Sequence, residues 1–253
     1  MGVRASISMF VDIHNHILPG IDDGSPTMEF ALDMARLAAI DGTDTMVATP
    51  HRYWMLRRDA PAEWVRELVA NLNAELSTIG IPFTVVPGVE IPLGRRVADD
   101  LAGGRLLTLG DAGEWALIEL PFESIPGDAF DQLKAVVDAG FKVVLAHPER
   151  NSVIQNDLTF LERCAELGMA FQVTTGSLLG RFGQRALASA EAILRRSDTL
   201  PIVIASDTHD LNKRPPNLMS DARKAAAAIV GHDEANAMVD SRPRSMITPQ
   251  RPR

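Results

Sequence analysis

Short apolar runs alternate with longer amphipathic segments along most of the chain. Most of these runs are continuous rather than alternating, which is typical of parallel strands that are covered on both faces. They predict seven strands, in the segments SMFVDI, DTMVAT, FTVVPG, WALIEL, FKVVLA, MAFQVT and PIVIAS.

The segments between these runs have the period of amphipathic helices, and several end at a glycine. In the first helix, Ser25 is the expected N-cap, Pro26 lies in the first turn and Gly42 ends the helix. In the second, the expected apolar face consists of Trp64, Leu68, Leu72, Leu76 and Ile79. The other helices are predicted in DAFDQLKAVVDAG, DLTFLERCAELG, FGQRALASAEAILRRS and NLMSDARKAAAAIVG.

Seven strand–helix units in 253 residues favour one barrel-like α/β domain. An open doubly wound sheet is also compatible with the pattern, because the sequence does not show whether the sheet closes. We assign residues 1–253 to a single domain, with a short N-terminal extension at 1–9 and a C-terminal tail at 242–253.

Charge and cysteine content narrow the function classes. The net charge of −8 argues against a nucleic-acid surface, since phosphate backbones require clustered Lys and Arg. A single cysteine, Cys164, permits no intramolecular disulfide. The N-terminus has no signal-peptide core and no segment has the apolar length of a membrane span, so we predict a soluble, cytoplasmic protein.

Residues that can bind metal ions follow the predicted strands. The carboxyl ends of parallel strands meet on one face of such folds, and five of the six histidines occupy these positions, with His232 as the exception. The candidates are His14, His16 and Asp23 after the first strand, His51 after the second, Glu90 after the third, Glu119 in the fourth, His147 after the fifth, and Asp207 and His209 after the seventh. Arg150 also follows the fifth strand, in the same motif as His147.

The spacing within two of these motifs suits a shared cation. In His14-Asn15-His16 the two-residue period of an extended strand directs both imidazoles to one side. Asp207 and His209 have the same spacing. Mixed imidazole and carboxylate ligands without thiolate suit Mn²⁺, Fe²⁺ or Zn²⁺. Nine candidate ligands exceed the needs of one ion, so two or three ions are expected, and clustered ions can activate water and hold a phosphoryl oxygen.

Each motif also has an ordinary structural explanation. A lone H-x-H is more often a pair of strand or turn histidines, DDG is usually a turn, HPER can be a loop and SDTHD can be a helix cap. Glu119, inside the apolar ALIELP, is the strongest single indication, because a carboxylate in a buried strand is costly unless it is paired or bound to metal. Asp12 and Asp22 stay undecided between supporting and turn roles.

The motifs DIHNHILPGIDDG, ATPHR, GVEI, ALIELP, AHPER and IASDTHDLNKRPP together resemble the PHP (polymerase and histidinol phosphatase) superfamily. Within it they look like the manganese-dependent protein-tyrosine phosphatases of bacterial capsule and exopolysaccharide operons. The similarity runs from Asp12 to Pro216 and more weakly through SRPRSMI.

This resemblance implies a distorted seven-stranded PHP barrel with a trinuclear centre, most often of Mn²⁺. It assigns all nine candidates as metal ligands, with Glu90 as a bridging carboxylate. It also assigns Arg150 and Arg214 to substrate phosphate, which a planar guanidinium suits. The chain departs from the family pattern at Asn217, Thr174 and Thr175, none of which is a predicted metal ligand.

The function that follows is hydrolysis of phosphotyrosine on a protein, with an autophosphorylating tyrosine kinase as the expected partner. Asp207 or His209 is the candidate for proton transfer to the leaving group. A cysteine-dependent mechanism is excluded, because it needs Arg six positions after the cysteine and Ala170 stands there. The alternatives are a small-molecule phosphatase of the histidinol-phosphatase kind, a nuclease-like phosphoesterase, which the acidic balance disfavours, and a non-enzymatic metal-binding protein.

Overall fold

A computed structural model of the chain describes residues 9–54, 58–59 and 61–248. Most of the predicted N-terminal extension and the end of the predicted C-terminal tail, from 249 onward, lie outside these residues. The strands are β1 (Phe10–Asn15), β2 (Thr43–Ala48), β3 (Tyr53–Trp54), β4 (Arg58–Asp59), β5 (Thr84–Pro87), β6 (Glu90–Pro92), β7 (Trp115–Glu119), β8 (Lys142–Ala146), β9 (Ala170–Thr174) and β10 (Ile202–Ala205).

Helices follow the strands in an alternating order. They are α1 (Met28–Asp41), α2 (Ala62–Thr78), α3 (Val97–Ala102), α4 (Ala129–Asp138), α5 (Thr159–Glu166), α6 (Thr175–Leu178), α7 (Gln184–Leu194), α8 (Met219–Val230), α9 (His232–Val239) and α10 (Ser241–Ile247). The predicted tail therefore begins inside α10, whose Met246 is buried. No helix in the described ranges has the length and apolarity of a membrane span.

Eight of the strands form two parallel sheets, with the orders β1-β2-β5 and β10-β9-β8-β7-β6, while β3 and β4 form a separate antiparallel pair. Two isolated bridges link the two parallel sheets. Asn15 forms a bridge with Thr208 beyond β10, and His51 beyond β2 forms a bridge with Glu90 of β6. The arrangement is the distorted barrel-like α/β fold that the strand–helix alternation predicts.

The third predicted strand, FTVVPG, is present as β5, and a short strand that was not predicted, β6, follows it. β5 pairs with β2, whereas β6 pairs with β7, so Glu90 begins a strand of its own. Gly88 lies in the break between β5 and β6, where an added Cβ would come within 2.7 Å of Val47 Cγ1. Only glycine allows this close approach to β2, and the chain changes sheets here.

Two details of the predicted helices are wrong. The N-cap of α1 is Thr27, whose Oγ1 accepts from the Phe30 N–H at 3.3 Å, while Ser25 is buried and donates to the Thr27 carbonyl. In α2, Trp64 and Ile79 are 41% and 40% exposed. A series spaced by four residues drifts by about 40° per step on a helix of 3.6 residues per turn. The buried face instead alternates steps of three and four, at Ala62, Val65, Val69, Leu72 and Leu76.

Alternate strand residues face two different cores. One core lies between the strands and the surrounding helices, and a smaller one includes Leu117 of β7, Ala170 of β9 and Met246 of α10. The two-residue period continues this second face from Leu117 to Glu119 and from Ala170 to Gln172. The interior of the barrel thus carries an apolar core at one level and polar side chains at the carboxyl ends of the strands.

We expect Gly88→Ala to destabilise the fold, because the new methyl group must displace Val47 or the β2 backbone. The free energy of unfolding should fall by about 1–3 kcal/mol, as for other overpacked sites, in a denaturant titration. Gly127→Ala is the matched control, since Gly127 is exposed with open space around it. Equal stability of the two variants would contradict a steric need for glycine at 88.

Candidate active site

The nine predicted ligands and both predicted arginines come together at the carboxyl ends of the strands. A cavity of about 360 Å³ opens there, and its lining consists of Asp23, His51, Glu90, Glu119, Phe122, His147, Arg150, Asp207, His209 and Arg214. His14 and His16 do not line this cavity and are fully buried. None of the candidates from the strand ends lies elsewhere.

Glu90 is the carboxylate with the most imidazole contacts. Its Oε1 lies 3.0 Å from His147 Nε2 and 3.3 Å from His14 Nε2. Its Oε2 lies 2.8 Å from His51 Nδ1 and 3.6 Å from His16 Nε2. Burial alone would raise the pKa of Glu90, but the charge and hydrogen bonds of these imidazoles hold it well below its usual value. Glu90 is therefore an anion at the junction of two sheets.

Asp207 connects the histidines to the arginines. Its Oδ1 lies 3.4 Å from His14 Nε2 and 3.5 Å from His16 Nε2. Its Oδ2 accepts from Arg150 Nη1 at 2.8 Å and also contacts Arg214 Nη2. Burial opposes ionisation here as well, yet the neighbouring cationic groups keep the pKa of Asp207 well below its usual value. One carboxylate thus faces candidate metal ligands on one side and two guanidinium groups on the other.

The remaining carboxylates lie nearer the opening. Asp23 Oδ1 is 3.5 Å from His51 Nε2 and 3.4 Å from His209 Nε2, so the turn before α1 reaches back over the site. Glu119 Oε1 is 3.6 Å from His147 Nε2. Burial and the nearby charge of Glu90 raise the pKa of Glu119 to about 7. A cation bound here would favour the ionised form.

Hydrogen bonds at Nδ1 fix the orientation and the favoured tautomer of three of the histidine rings. His14 Nδ1 donates to Gln172 Oε1 at 2.8 Å, and His16 Nδ1 donates to Asp22 Oδ2 at 2.7 Å. His209 Nδ1 lies 3.0 Å from the Asp207 carbonyl oxygen, which suits the same tautomer. In all three residues Nε2 is the nitrogen that faces the carboxylates, so the neutral tautomer with its proton on Nδ1 could bind a metal ion through Nε2.

Two buried imidazole nitrogens indicate whether a cation fits the site. Within the described residues, Nε2 of His14 and Nε2 of His16 have no hydrogen-bond partner, although both are inaccessible to solvent. Donor atoms that share one ion at about 2.1 Å, with ligand angles of roughly 90–110°, stand about 3.0–3.5 Å apart. The distances to Glu90 and Asp207 are close to this range. The donor set therefore fits divalent ions.

The donor atoms fall into overlapping groups rather than one cage. Four sets hold ligand atoms that all lie within 4.8 Å of one another, and they share members, so neighbouring ions could use common ligands. The sets are His16, Asp23, His51 and His209; His14, His147 and Asp207; His14, His16 and Glu90; and His51, Glu90 and Glu119.

Two residues of the site adopt backbone conformations that are rare for residues other than glycine. His147 has φ 31° and Asp207 has φ 51°, both in the left-handed region. Such conformations cost on the order of 1–3 kcal/mol and persist where the surrounding structure fixes them. The His147 N–H donates to Gln172 Oε1, and the Asp207 N–H donates to the His14 carbonyl. The strain turns both side chains toward the interior.

Gln172 and Glu149 were not predicted as supporting residues, whereas Asp22 was left undecided between a supporting and a turn role. Gln172 holds both His14 and the backbone of His147, and Asp22 accepts from His16 and from the His51 N–H. Buried Glu149 accepts from the Thr174 N–H and the Ser177 hydroxyl. Gln172 could have been found by the argument used for Glu119, since it is a polar residue inside the apolar MAFQVT.

The structure shows the environment of Asp12, whose role the sequence left undecided, and of the three positions that depart from the family pattern. Asp12 is buried and accepts from the N–H and hydroxyl of Ser206, so it supports the strand ends. Thr174 and Thr175 are buried, and Thr174 Oγ1 accepts from Gln172 Nε2 at 3.2 Å. Asn217 is exposed and does not line the cavity. These departures from the family pattern leave the candidate ligands in place.

Cys164 lies far from this chemistry. It is buried within α5, and burial raises the pKa of its thiol to about 12. A thiol that stays protonated is not a nucleophile near neutral pH. The structure agrees with the exclusion of a cysteine-dependent mechanism.

Fold and site together define an α/β barrel-like protein with a histidine- and carboxylate-rich metal-binding cluster and two convergent arginines. The chain belongs to the family described as capsular polysaccharide synthesis, CpsB/CapC, whose sequence model matches residues 10–248. It is 38% identical over 204 residues to the tyrosine-protein phosphatase YwqE of Bacillus subtilis, covering 81% of this chain and 79% of that protein.

Solved structures agree with this assignment. A structure from work on YwqE from Bacillus subtilis and CpsB from Streptococcus pneumoniae, described as unique metal-dependent tyrosine phosphatases, has 33% identity and a TM-score of 0.87, with 95% of each chain covered. The phosphotriesterase homology protein from Escherichia coli has a TM-score of 0.64 at 12% identity, covering 96% of this chain and 100% of that one. The second likeness concerns the fold alone.

Replacing Gln172 should weaken metal binding without removing a candidate ligand. Gln172→Leu fills similar space but loses the acceptor that orients His14 and holds His147. We expect a 10- to 100-fold lower metal affinity, as for other residues that orient metal ligands, in a competition titration with a chromophoric chelator. Gln184→Ala, at an exposed position of α7, is the control. A folded Leu variant with unchanged affinity would remove Gln172 from this role.

Proposed function

We propose that this chain is a metal-dependent protein-tyrosine phosphatase that hydrolyses phosphotyrosine on a protein substrate. The observation that carries the proposal is the convergence of Arg150 and Arg214 on Asp207, directly beside the candidate metal ligands. A phosphate group needs several cationic and hydrogen-bonding partners at once, and this cavity brings them to one place.

The metal ligands in this proposal are His14, His16, Asp23, His51, Glu90, Glu119, His147, Asp207 and His209. They would hold two or three divalent ions, most often Mn²⁺, with Fe²⁺ or Zn²⁺ as alternatives suited to the same donors. When bound, such ions supply Lewis acidity, which lowers the pKa of water and neutralises charge on phosphoryl oxygens. The contacts of Glu90 with four imidazoles support a bridging role for its carboxylate.

The two arginines would bind and orient the phosphate. Each guanidinium is partly accessible and lines the cavity, so a phosphate oxygen can approach without unfolding any element. Asp207 holds both groups in position before the substrate arrives. Orientation of this kind lowers the entropic cost of reaching the reactive geometry.

Asp207 and His209, the two candidates for proton transfer to the leaving group, both line the cavity. Asp207 accepts from two guanidinium groups, so its carboxylate is better suited to hold them than to donate a proton. His209 Nδ1 lies 3.0 Å from the Asp207 carbonyl oxygen and its Nε2 is a proposed metal donor, so this imidazole is also a poor proton donor. A phenolate leaves more readily than an alkoxide, so catalysis of tyrosine phosphate depends less on this proton.

Family membership and one surface feature support a protein substrate. A second cavity, of about 430 Å³, begins at Arg52, directly after His51, and is also lined by Arg95, Arg96 and Arg105. Asp100 in that lining pairs with Arg52, Arg96 and Arg105, and Arg95 pairs with Asp128. The four guanidinium groups exceed these two carboxylates, so the cavity suits an anionic segment of a peptide. The proposed partner is the tail of a bacterial tyrosine kinase of the exopolysaccharide type, in the cytoplasm. A small-molecule phosphatase of the histidinol-phosphatase kind is the alternative.

Removal and return of metal test the reaction type. After chelation, hydrolysis of a phosphotyrosine peptide should fall to background, and Mn²⁺, Fe²⁺, Zn²⁺ and Mg²⁺ added back separately should rank the ions by phosphate release. Histidinol phosphate and single-stranded DNA serve as competing substrates. Thiol alkylation should have no effect, since Cys164 is buried. Activity that survives chelation but is lost on alkylation would overturn the mechanism.

Arg150→Ala should separate metal binding from phosphate binding. We expect the metal content to stay unchanged and kcat/KM on a phosphotyrosine peptide to fall about 10- to 100-fold, the size of one or two lost charged hydrogen bonds. Arg185→Ala, at an exposed position of α7, is the control for charge loss. Kinetics of Arg150→Ala equal to wild type would remove this residue from the site.

A further inference from the structure

A large aromatic side chain stands exposed at the opening of the site. Phe122 follows β7 and is 39% exposed, although it lines the cavity with the metal-binding candidates. Its ring lies over the imidazole of His147, with centroids 5.4 Å apart and planes inclined by 21°. Among the exposed large apolar side chains in the described ranges, only Phe122 borders this cavity.

A second phenyl ring, that of Phe182, contacts the same arginine side chain as Phe122. The Arg150 guanidinium carbon lies 4.6 Å from the ring centroid of Phe122 and 4.7 Å from that of Phe182. The guanidinium of Arg214 lies 5.9 Å from the ring of Phe182. The rings thus meet the two groups proposed to bind phosphate, at distances typical of cation–π contact.

The surrounding backbone holds Phe182 in this position. A Cβ at Gly176 would come within 2.8 Å of Phe182 Cε2, so the ring packs directly on the bare backbone of α6. Arg181 donates to the carbonyls of Asn212 and Lys213, at 2.8 and 3.2 Å, and so ties this loop to the segment that carries Arg214. The Phe182 ring is therefore held in place by the packing and hydrogen bonds of its own loop.

A neighbouring cavity adjoins the first and is lined by both rings. It measures about 310 Å³, is lined by Phe122, Phe182 and Arg150 together with Glu123, Gln155 and Ala186, and shares Phe122 and Arg150 with the larger cavity. An apolar cavity of about 150 Å³ already accommodates benzene in proteins. A phenyl group attached to a phosphate at Arg150 therefore has room here.

We propose that Phe122 and Phe182 form an aryl subsite, which receives the aromatic ring of a phosphate monoester and sets a preference for aryl over alkyl esters. This inference rests on the proposed phosphatase function and adds to it a preference for the organic group of the ester. Offset or edge contacts between the substrate ring and the two phenyl rings would be lost with an alkyl ester, whose phosphate would make the same contacts with the arginines.

In the competing explanation, the two phenyl rings have only a structural role, which is to hold Arg150 in position. If they only hold Arg150, their loss should weaken every phosphate ligand equally, whatever its organic group. If they form the aryl subsite, their loss should weaken aryl ligands selectively. Comparison of aryl and alkyl ligands therefore separates the two explanations.

The test is calorimetric binding to the metal-loaded full chain. The probes are phenylphosphonate, methylphosphonate and inorganic phosphate, and the variants are Phe122→Leu, Phe182→Leu and the double variant. Leucine keeps the position apolar and preserves packing. We expect phenylphosphonate to bind about 5- to 20-fold more weakly to the double variant, with phosphate and methylphosphonate within about twofold of wild type. Trp64→Leu, an exposed aromatic residue of α2, is the control and should match wild type for all three probes.

Two results would overturn the aryl subsite. One is an equal loss for all three probes in the variants, and the other is wild-type protein that binds phenylphosphonate no better than methylphosphonate. Both are independent of catalysis. Failure of the wild-type protein to hydrolyse a phosphotyrosine peptide with any metal would instead contradict the proposed function. A double variant that does not fold is replaced by the single variants, which carry the same comparison.

Discussion

The buried carboxylate of Glu90 is the constraint around which the structure is arranged. Four imidazoles approach its two oxygens, and Asp207 approaches two of the same imidazoles from the other side. So many ionisable groups cannot be buried without charge balance, because an unpaired charge in an apolar environment is strongly unfavourable. The barrel supplies part of this balance only if several strand ends meet, and divalent cations bound at the proposed site would complete it.

Much of the fold and the site could be predicted because their determinants are local in sequence. Continuous apolar runs mark the parallel strands, and the residue after each strand is forced to the same face, so His14, His51, His147 and Asp207 could be grouped from their positions alone. The break between β5 and β6 could not be predicted. It depends on how closely Gly88 approaches Val47, a contact between residues 41 positions apart.

Residues that orient the candidate ligands were harder to predict from the sequence. Gln172 and Asp22 have no metal-ligand pattern of their own, and their roles follow from their hydrogen bonds to Nδ1 of His14 and His16. Trp64 was assigned to a buried face because spacing by four imitates a helical stripe over short lengths. Phe122 follows β7, whereas Phe182 lies in the loop between α6 and α7, and only folding brings their rings to the same guanidinium.

The backbone contact between the His14 carbonyl and the Asp207 N–H joins the first strand to the last. Asp12 and Ser206 repeat this connection across 194 residues. Contacts of such sequence separation form late, because the entropy of closing a long loop must be overcome first. During synthesis the N-terminal histidines can therefore meet Asp22 and Glu90 early, but their contacts with Asp207 form only after residue 207 has been added. A chain that stops before Asp207 would lack part of the proposed ligand set, so its capacity to load metal would be incomplete.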